Sequence, residues 1–105
     1  MKNILIIITG KVYKTGFRYF VKQMAERNSI TGTVKYSGNN SIIIEANGGD
    51  KALNIFISYC RLGCFGSEVN NVSISESPAF PCRSFEIENE AEQNHIVNTN
   101  SRIRD

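Results

Sequence analysis

A run of five apolar residues, Ile4 to Ile8, is followed by a helical stripe, and this order constrains the fold more than any other feature of the chain. The run does not alternate with polar residues, which predicts a strand covered on both faces or a central strand of a mixed sheet. Apolar residues then recur at helical spacing between Phe17 and Ala25, which predicts an amphipathic helix. Asn28-Ser29 closes that pattern, because asparagine tolerates the left-handed turn that often ends a helix.

The rest of the chain continues with further strands and a second helix. A second stripe of helical spacing runs from Leu53 to Cys60, and Gly63 follows it as a natural stop. Asp50 precedes this stripe and is a candidate N-cap, because its carboxylate can accept a hydrogen bond from the first helical turn. Predicted strands lie at residues 30–36, 41–46, 69–75 and 84–88.

The order of elements is strand, helix, strand, strand, helix, strand, with a short final strand. Two such helices cover one face of a mixed antiparallel sheet, which is the ferredoxin-like, split βαβ sandwich of the α+β class. A chain of 105 residues forms one domain, which we place at residues 1–88. Residues 89–105 contain few apolar side chains and are predicted to form a polar, mobile tail.

Composition argues against several classes of function. The net charge of +2 is too small to indicate binding of nucleic acid or of a membrane surface. The strand at Ile4–Ile8 lacks the aromatic residues on which RNA-binding domains of this fold stack bases. The N-terminal apolar run is too short for a secretory signal, and no run of about 20 apolar residues exists. We expect a cytoplasmic monomer that binds neither nucleic acid nor membranes.

Three cysteines, Cys60, Cys64 and Cys82, cannot all pair with one another within one chain, which favours a reducing compartment. Cys60 and Cys64 could contribute to a metal site, but His95, the single histidine, lies in the polar tail. We therefore expect no metal and no cofactor. Cys60 lies on the second helical stripe and is interpreted as a small core residue.

The loop between the first strand and the first helix carries the clearest functional signal. Backbone N–H groups at a helix start are unpaired and attract anions, and an arginine beside them can hold an anion in a fork. Arg18 lies in the first helical turn, where the helix dipole disfavours a cation, so its position indicates a function; a surface ion pair is the alternative. The expected ligand is a small phosphorylated metabolite or inorganic phosphate. The predicted binding residues are Tyr13, Lys14, Thr15, Gly16, Phe17 and Arg18.

This loop and a second segment resemble the signatures of a known family. The second segment, Gly32 to Tyr36, stands at the place of the signature G-W-V-x-N, and Phe85-Glu86-Ile87 matches a closing F-x-I strand. The chain resembles the acylphosphatases over about residues 3–88. The residues that match the opening signature, G-x-V-Q-G-V-x-F-R, are Gly10, Val12, Phe17 and Arg18.

The resemblance implies a ferredoxin-like enzyme that hydrolyses the carboxyl–phosphate bond of acyl phosphates. In that family the loop amides and the arginine bind phosphate, which would assign these roles to residues 13–17 and to Arg18. The family's catalytic asparagine, which orients the attacking water, falls on Tyr36 in this sequence. The loop also departs from the family, with Tyr13-Lys14-Thr15 at the place of Q-G-V.

Three interpretations of Tyr36 stay open. The substitution removes catalysis and leaves a binding site, or the Tyr36 hydroxyl positions the water, or Asn39 or Asn40 in the following turn takes over that role. The predicted function is hydrolysis of acyl phosphates, in a form that Tyr36 can impair or abolish. The alternative is a non-catalytic ferredoxin-like module that binds phosphate or carboxylate in the same loop.

Overall fold

The computed structural model describes residues 1–80 and 82–88, so the predicted mobile tail at 89–105 lies outside the described residues. Within this part the chain forms five strands and two helices. They follow one another as β1 (Lys2–Lys11), α1 (Phe17–Arg27), β2 (Thr31–Tyr36), β3 (Ser41–Gly48), α2 (Asp50–Leu62), β4 (Glu68–Glu76) and β5 (Phe85–Ile87). Each predicted element is present, and most of them extend by one to three residues beyond the predicted bounds.

The five strands form one sheet in the order β4-β1-β3-β2-β5. All neighbouring pairs are antiparallel except β2 and β5, which run parallel, so the sheet is mixed. Two helices packed on this sheet confirm the predicted α+β ferredoxin-like fold.

Strand β1 is a central strand that is hydrogen-bonded on both edges, to β3 and to β4. Its side chains divide between two environments: Ile4, Ile6 and Ile8 are buried, whereas Leu5 and Ile7 are partly exposed. Of the two predicted environments, the central strand is therefore confirmed. The run is continuously apolar although the helices cover one face of it.

The helical stripe of α1 is buried as predicted, with Phe17, Val21, Met24 and Ala25 in the core. Asn28 is the C-cap of α1, with φ −109°, and the left-handed residue expected at the end of this helix is Ser29, with φ +58°. The Asn28 backbone N–H donates to Ala25 O at 3.1 Å. The Asn28 side chain adds a second closing contact, because its Nδ2 donates to Met24 O at 2.8 Å. Satisfying these last carbonyls fixes where the chain leaves the helix and enters β2.

The predicted N-cap of α2 is wrong by one residue. Gly49 is the N-cap, with φ −75° and ψ 162°, and Asp50 is the first residue of the helix. No side-chain hydrogen bond caps this helix. The Asp50 carboxylate instead lies 3.3 Å from Lys2 Nζ, and its place in the first turn remains favourable against the helix dipole.

Two glycines of the matched signatures bring neighbouring strands into close contact. Gly10, with φ +145°, lies where the β1–β4 register shifts, and a Cβ there would overlap the Glu68 carbonyl oxygen. Gly32, also with φ +145°, faces the Glu45 carbonyl oxygen in the same way. A side chain at either position would push the strands apart. The contact at Gly10 holds the end of β1, from which the loop at 12–16 leaves the sheet, and the contact at Gly32 holds strand β2.

Candidate active site

A cavity of about 340 Å³ opens where the loop at 12–16, the first turn of α1 and the end of β2 meet. Two of its lining residues are cations, Lys14 and Arg18, and none of the six is acidic. A concave site with this charge favours an anionic ligand. The lining residues are Tyr13, Lys14, Gly16, Arg18, Tyr19 and Tyr36.

The loop is held by its own backbone and by the core below it. The Thr15 hydroxyl donates to Val12 O at 2.7 Å, which turns its side chain toward the loop backbone. The Phe17 side chain is fully buried in the core, which anchors the start of α1. Neither side chain lines the cavity, so a role for Thr15 or Phe17 in binding would fall to the backbone amide.

Lys14 has a backbone conformation that glycine adopts more easily than a residue with a Cβ. Its φ of +59° lies in the left-handed region, which costs a side chain with a Cβ about 1–2 kcal/mol. Its Nζ lies 5.5 Å from the centroid of the Tyr13 ring, so the cation rests over an aromatic face at the cavity rim. The loop therefore carries a cost in backbone strain and a positive charge at the cavity rim.

Arg18 is half-buried and is held from two sides. Its Nη1 donates to the backbone carbonyl of Glu88 at 3.2 Å, just beyond the end of β5. Its Cζ lies 4.1 Å from the centroid of the Tyr36 ring, a cation–π distance. Its Nε is buried and has no hydrogen-bond partner among the described residues. The structure therefore places Arg18 as a fixed group in the cavity wall.

Tyr36 contacts both the loop and the arginine. Its hydroxyl accepts a hydrogen bond from the Lys14 backbone N–H at 3.0 Å. Its ring lies 4.9 Å from the Tyr13 ring, centroid to centroid, at an interplanar angle of 55°. Tyr36, which the resemblance placed at the asparagine position, thus contacts the loop through a long aromatic side chain.

The turn asparagines are placed differently from the interpretation that gave them a catalytic role. Asn39 and Asn40 are exposed and neither lines the cavity. Asn40 contributes its carbonyl oxygen, which accepts from the Gly10 backbone N–H at 2.9 Å and so ties the turn to β1.

Tyr19 is a lining residue that the sequence reasoning missed. It follows Arg18 in the first turn of α1 and lies off the buried stripe, so its side chain is exposed. Adjacent residues on a helix do not face each other, so the position of Tyr19 next to Arg18 gave no signal that both line one cavity.

The shifted pKa values that the structure shows belong to groups outside the cavity lining. Burial raises the pKa of the Cys60 thiol from 9.0 to about 12, in agreement with a core role for this residue. Cys64 lies beside the loop, and its Sγ donates to Thr15 O at 3.6 Å.

Residues 1–80 and 82–88 contain no group of three or more His, Cys, Asp or Glu placed to hold a metal ion; His95 lies outside them.

The described helices include none that is long and apolar enough to cross a membrane. The longer of the two, α2, has 13 residues, and a membrane-spanning helix needs about 20.

Comparisons with known proteins agree with the geometry. A family model described as acylphosphatase matches residues 4–87. An acylphosphatase of Clostridium acetobutylicum is 38% identical over 78 residues, which cover 74% of this chain and 86% of that protein. The crystal structure of acylphosphatase from Bacillus subtilis matches with a TM-score of 0.79 at 32% identity, covering 84% of this chain and 99% of the other.

A second solved structure has the same fold. The structure of an acylphosphatase from Coxiella burnetii matches with a TM-score of 0.79 at 25% identity, covering 83% of this chain and 92% of the other. The family model matches nearly all of the described residues, and the relatives and solved structures share both sequence and fold with this chain. The chain belongs to the acylphosphatase family.

Proposed function

We propose that the protein hydrolyses the carboxyl–phosphate bond of small acyl phosphates in the cavity between the loop at 12–16 and Tyr36. The observation that carries this proposal is the cavity itself. Arg18 and Lys14 both line it, the Lys14 backbone N–H donates to the Tyr36 hydroxyl, and no acid is among the lining residues. The matching relative and the matching solved structure are both named acylphosphatase, and that name supports the same reaction.

Binding of the phosphoryl group falls to Arg18 and to the amides of residues 13–17. A guanidinium can hold two phosphate oxygens at once, and successive amides in a turn form an anion-binding nest. The Glu88 carbonyl holds the guanidinium in the cavity wall, which lowers the entropy that binding would otherwise cost. Lys14 adds a second positive charge at the rim.

The chemical step requires a water molecule in line with the bond that breaks. The water oxygen bonds to phosphorus, the bond from phosphorus to the carboxyl oxygen breaks, and the electron pair leaves with the carboxylate. The protons of the water go to the phosphate product and to solvent. A carboxylate is a stable leaving group, so positioning and charge stabilisation carry most of the catalysis.

Tyr36 is the group that limits this step in our proposal. Its hydroxyl is engaged with the Lys14 N–H and does not offer an amide, so it places a water less well than an asparagine would. The exposed turn asparagines give no support to a substitute at Asn39 or Asn40. We therefore propose slow hydrolysis, with water positioning as the impaired step.

Hydrolysis of benzoyl phosphate by purified variants tests the proposal. We expect slow turnover by the wild type, loss of turnover in Arg18→Ala, and an increase of about tenfold or more in Tyr36→Asn, which corresponds to ~1.4 kcal/mol of barrier. Arg27→Ala is the matched control, because Arg27 lies at the opposite end of α1 and is exposed. Wild-type turnover that Arg18→Ala leaves unchanged would contradict the site assignment.

The same assay separates the non-catalytic alternative. A wild type that binds phosphate but shows no turnover, with Tyr36→Asn equally inactive, would identify a binding module rather than an enzyme. A silent wild type that Tyr36→Asn activates would identify an enzyme whose water-positioning group has been lost. Nothing in the cavity favours the binding module over the hydrolase.

A further inference from the structure

Tyr36 already occupies part of the site in which an oxyanion would bind. Its hydroxyl oxygen lies 3.0 Å from Lys14 N and accepts that N–H. A backbone N–H directs one strong hydrogen bond, so the hydroxyl and a phosphate oxygen compete for the same donor. In the structure the loop is therefore bound to an oxygen of the protein itself.

The same side chain also covers the second anion-binding group. The Tyr36 ring lies over the Arg18 guanidinium, with 4.1 Å from Cζ to the ring centroid. The Arg18 Nε is buried and lacks a hydrogen-bond partner among the described residues, which leaves a charged donor unsatisfied. Movement of the Tyr36 side chain would free the Lys14 N–H and uncover the guanidinium together.

The end of β2 allows such movement. Tyr36 is the last residue of the strand and is partly exposed, and exposed residues follow it in the turn at 37–40. Its ring packs against Tyr13, which is itself 39% exposed, and as a partly buried residue it also packs against the hydrophobic core. A rotamer change there gives up part of this packing, which the bonds of a phosphate to the loop amides and to Arg18 would offset.

We propose that the Tyr36 hydroxyl is an internal occupant of the oxyanion position, and that a phosphate oxygen binds by displacing it. Tyr36 is thus a positioning residue for the binding step, acting through Lys14 and Arg18. This inference rests on the proposed function, because it assumes that the loop is the phosphate site. Competition of this kind lowers the affinity for phosphate, and removal of the hydroxyl raises it.

The test is a titration with inorganic phosphate, followed by the backbone amide resonances. Tyr36→Phe keeps the ring on Arg18 and removes the hydroxyl, and Tyr59→Phe, at a partly exposed position on α2, is the matched control. We expect the dissociation constant of phosphate to fall about two- to tenfold in Tyr36→Phe, the range set by one lost hydrogen bond. We expect it to stay unchanged in Tyr59→Phe, with the Lys14 amide resonance shifting in each titration.

Several results would overturn the inference, and they can be told apart. Equal affinity in the wild type and Tyr36→Phe means that the hydroxyl does not compete, and weaker binding in Tyr36→Phe means that it is a phosphate ligand. No binding in any variant defeats the proposed function together with the inference. If Tyr36→Phe fails to fold, the wild type decides the matter: displacement requires the Tyr36 ring resonances to shift in step with the Lys14 amide.

Discussion

At the scale of the residue, the site depends on side chains whose length matters as much as their chemistry. Tyr36 stands where an asparagine is expected, yet its hydroxyl reaches the Lys14 N–H because the ring extends past Arg18. Arg18 was identifiable from the sequence, because a cation at a helix start opposes the dipole. The contacts of Tyr36 were not, because they depend on where a long side chain from β2 meets a loop that precedes α1.

The strained backbone at Lys14 leads to a stability prediction. Its φ of +59° is costly for a residue with a Cβ, so we expect Lys14→Gly to raise the free energy of unfolding by about 0.5–1 kcal/mol. Lys51→Gly, in the first turn of α2, should lower it by a similar amount, because glycine weakens a helix. Urea unfolding measures both. A loss of stability in Lys14→Gly would show that the left-handed conformation carries no cost.

At the scale of the element, periodicity predicted the type of each helix and strand but not their ends. The buried stripes of α1 and α2 follow the helical spacing, as expected from apolar burial. Strand β1 extends to Lys2 and Lys11 because partners pair with it on both edges, which the apolar run does not reveal. The N-cap of α2 was predicted one residue late, at Asp50, because the cap is set by backbone angles at Gly49.

Burial of Cys60 on α2 predicts a pH dependence of stability. The thiol pKa is raised from 9.0 to about 12 in the folded state, so above pH 9 the unfolded chain loses this proton while the folded chain keeps it. The stability that the protonated Cys60 thiol contributes should therefore be fully present below pH 9. The free energy of unfolding should then fall between pH 9 and pH 12 as the pH rises. The slope from this group is about 1.4 kcal/mol per pH unit.

The measurement compares unfolding of the wild type and Cys60→Ala at several pH values from about pH 8 to about pH 10. Other groups titrate in this range, so the difference between the two proteins carries the information. We expect that difference to shrink as the pH rises. A constant difference would show that the thiol ionises equally in both states.

At the scale of the whole molecule, the candidate site is assembled from distant parts of the chain. The loop, the helix start and the end of β2 meet because the sheet order places β1 and β2 on either side of β3. The chain continues past β5 to Glu88, whose carbonyl holds Arg18. The fold class and the arginine followed from local patterns, whereas this assembly required the strand order and the parallel β2–β5 pair.

Phosphate binding should stabilise the whole domain. A ligand present at about 100 times its dissociation constant adds about 2.7 kcal/mol to the free energy of unfolding when it binds the folded state alone. We expect this increase with inorganic phosphate in the wild type and in Arg27→Ala, and its loss in Arg18→Ala. Urea unfolding at constant ionic strength measures it. Equal stabilisation of all three proteins would indicate a general salt effect.

The hydrogen bond from Arg18 to Glu88 joins residues that are 70 positions apart in the chain. Contacts of such long range form late, because the entropy of closing a large loop must be met first. On the ribosome, the loop and helix of the site emerge early, but the support for the arginine arrives only with Glu88, just after β5. A nascent chain that stops before residue 88 would thus carry the loop with its arginine unsupported, and full phosphate binding would report that synthesis has passed this residue.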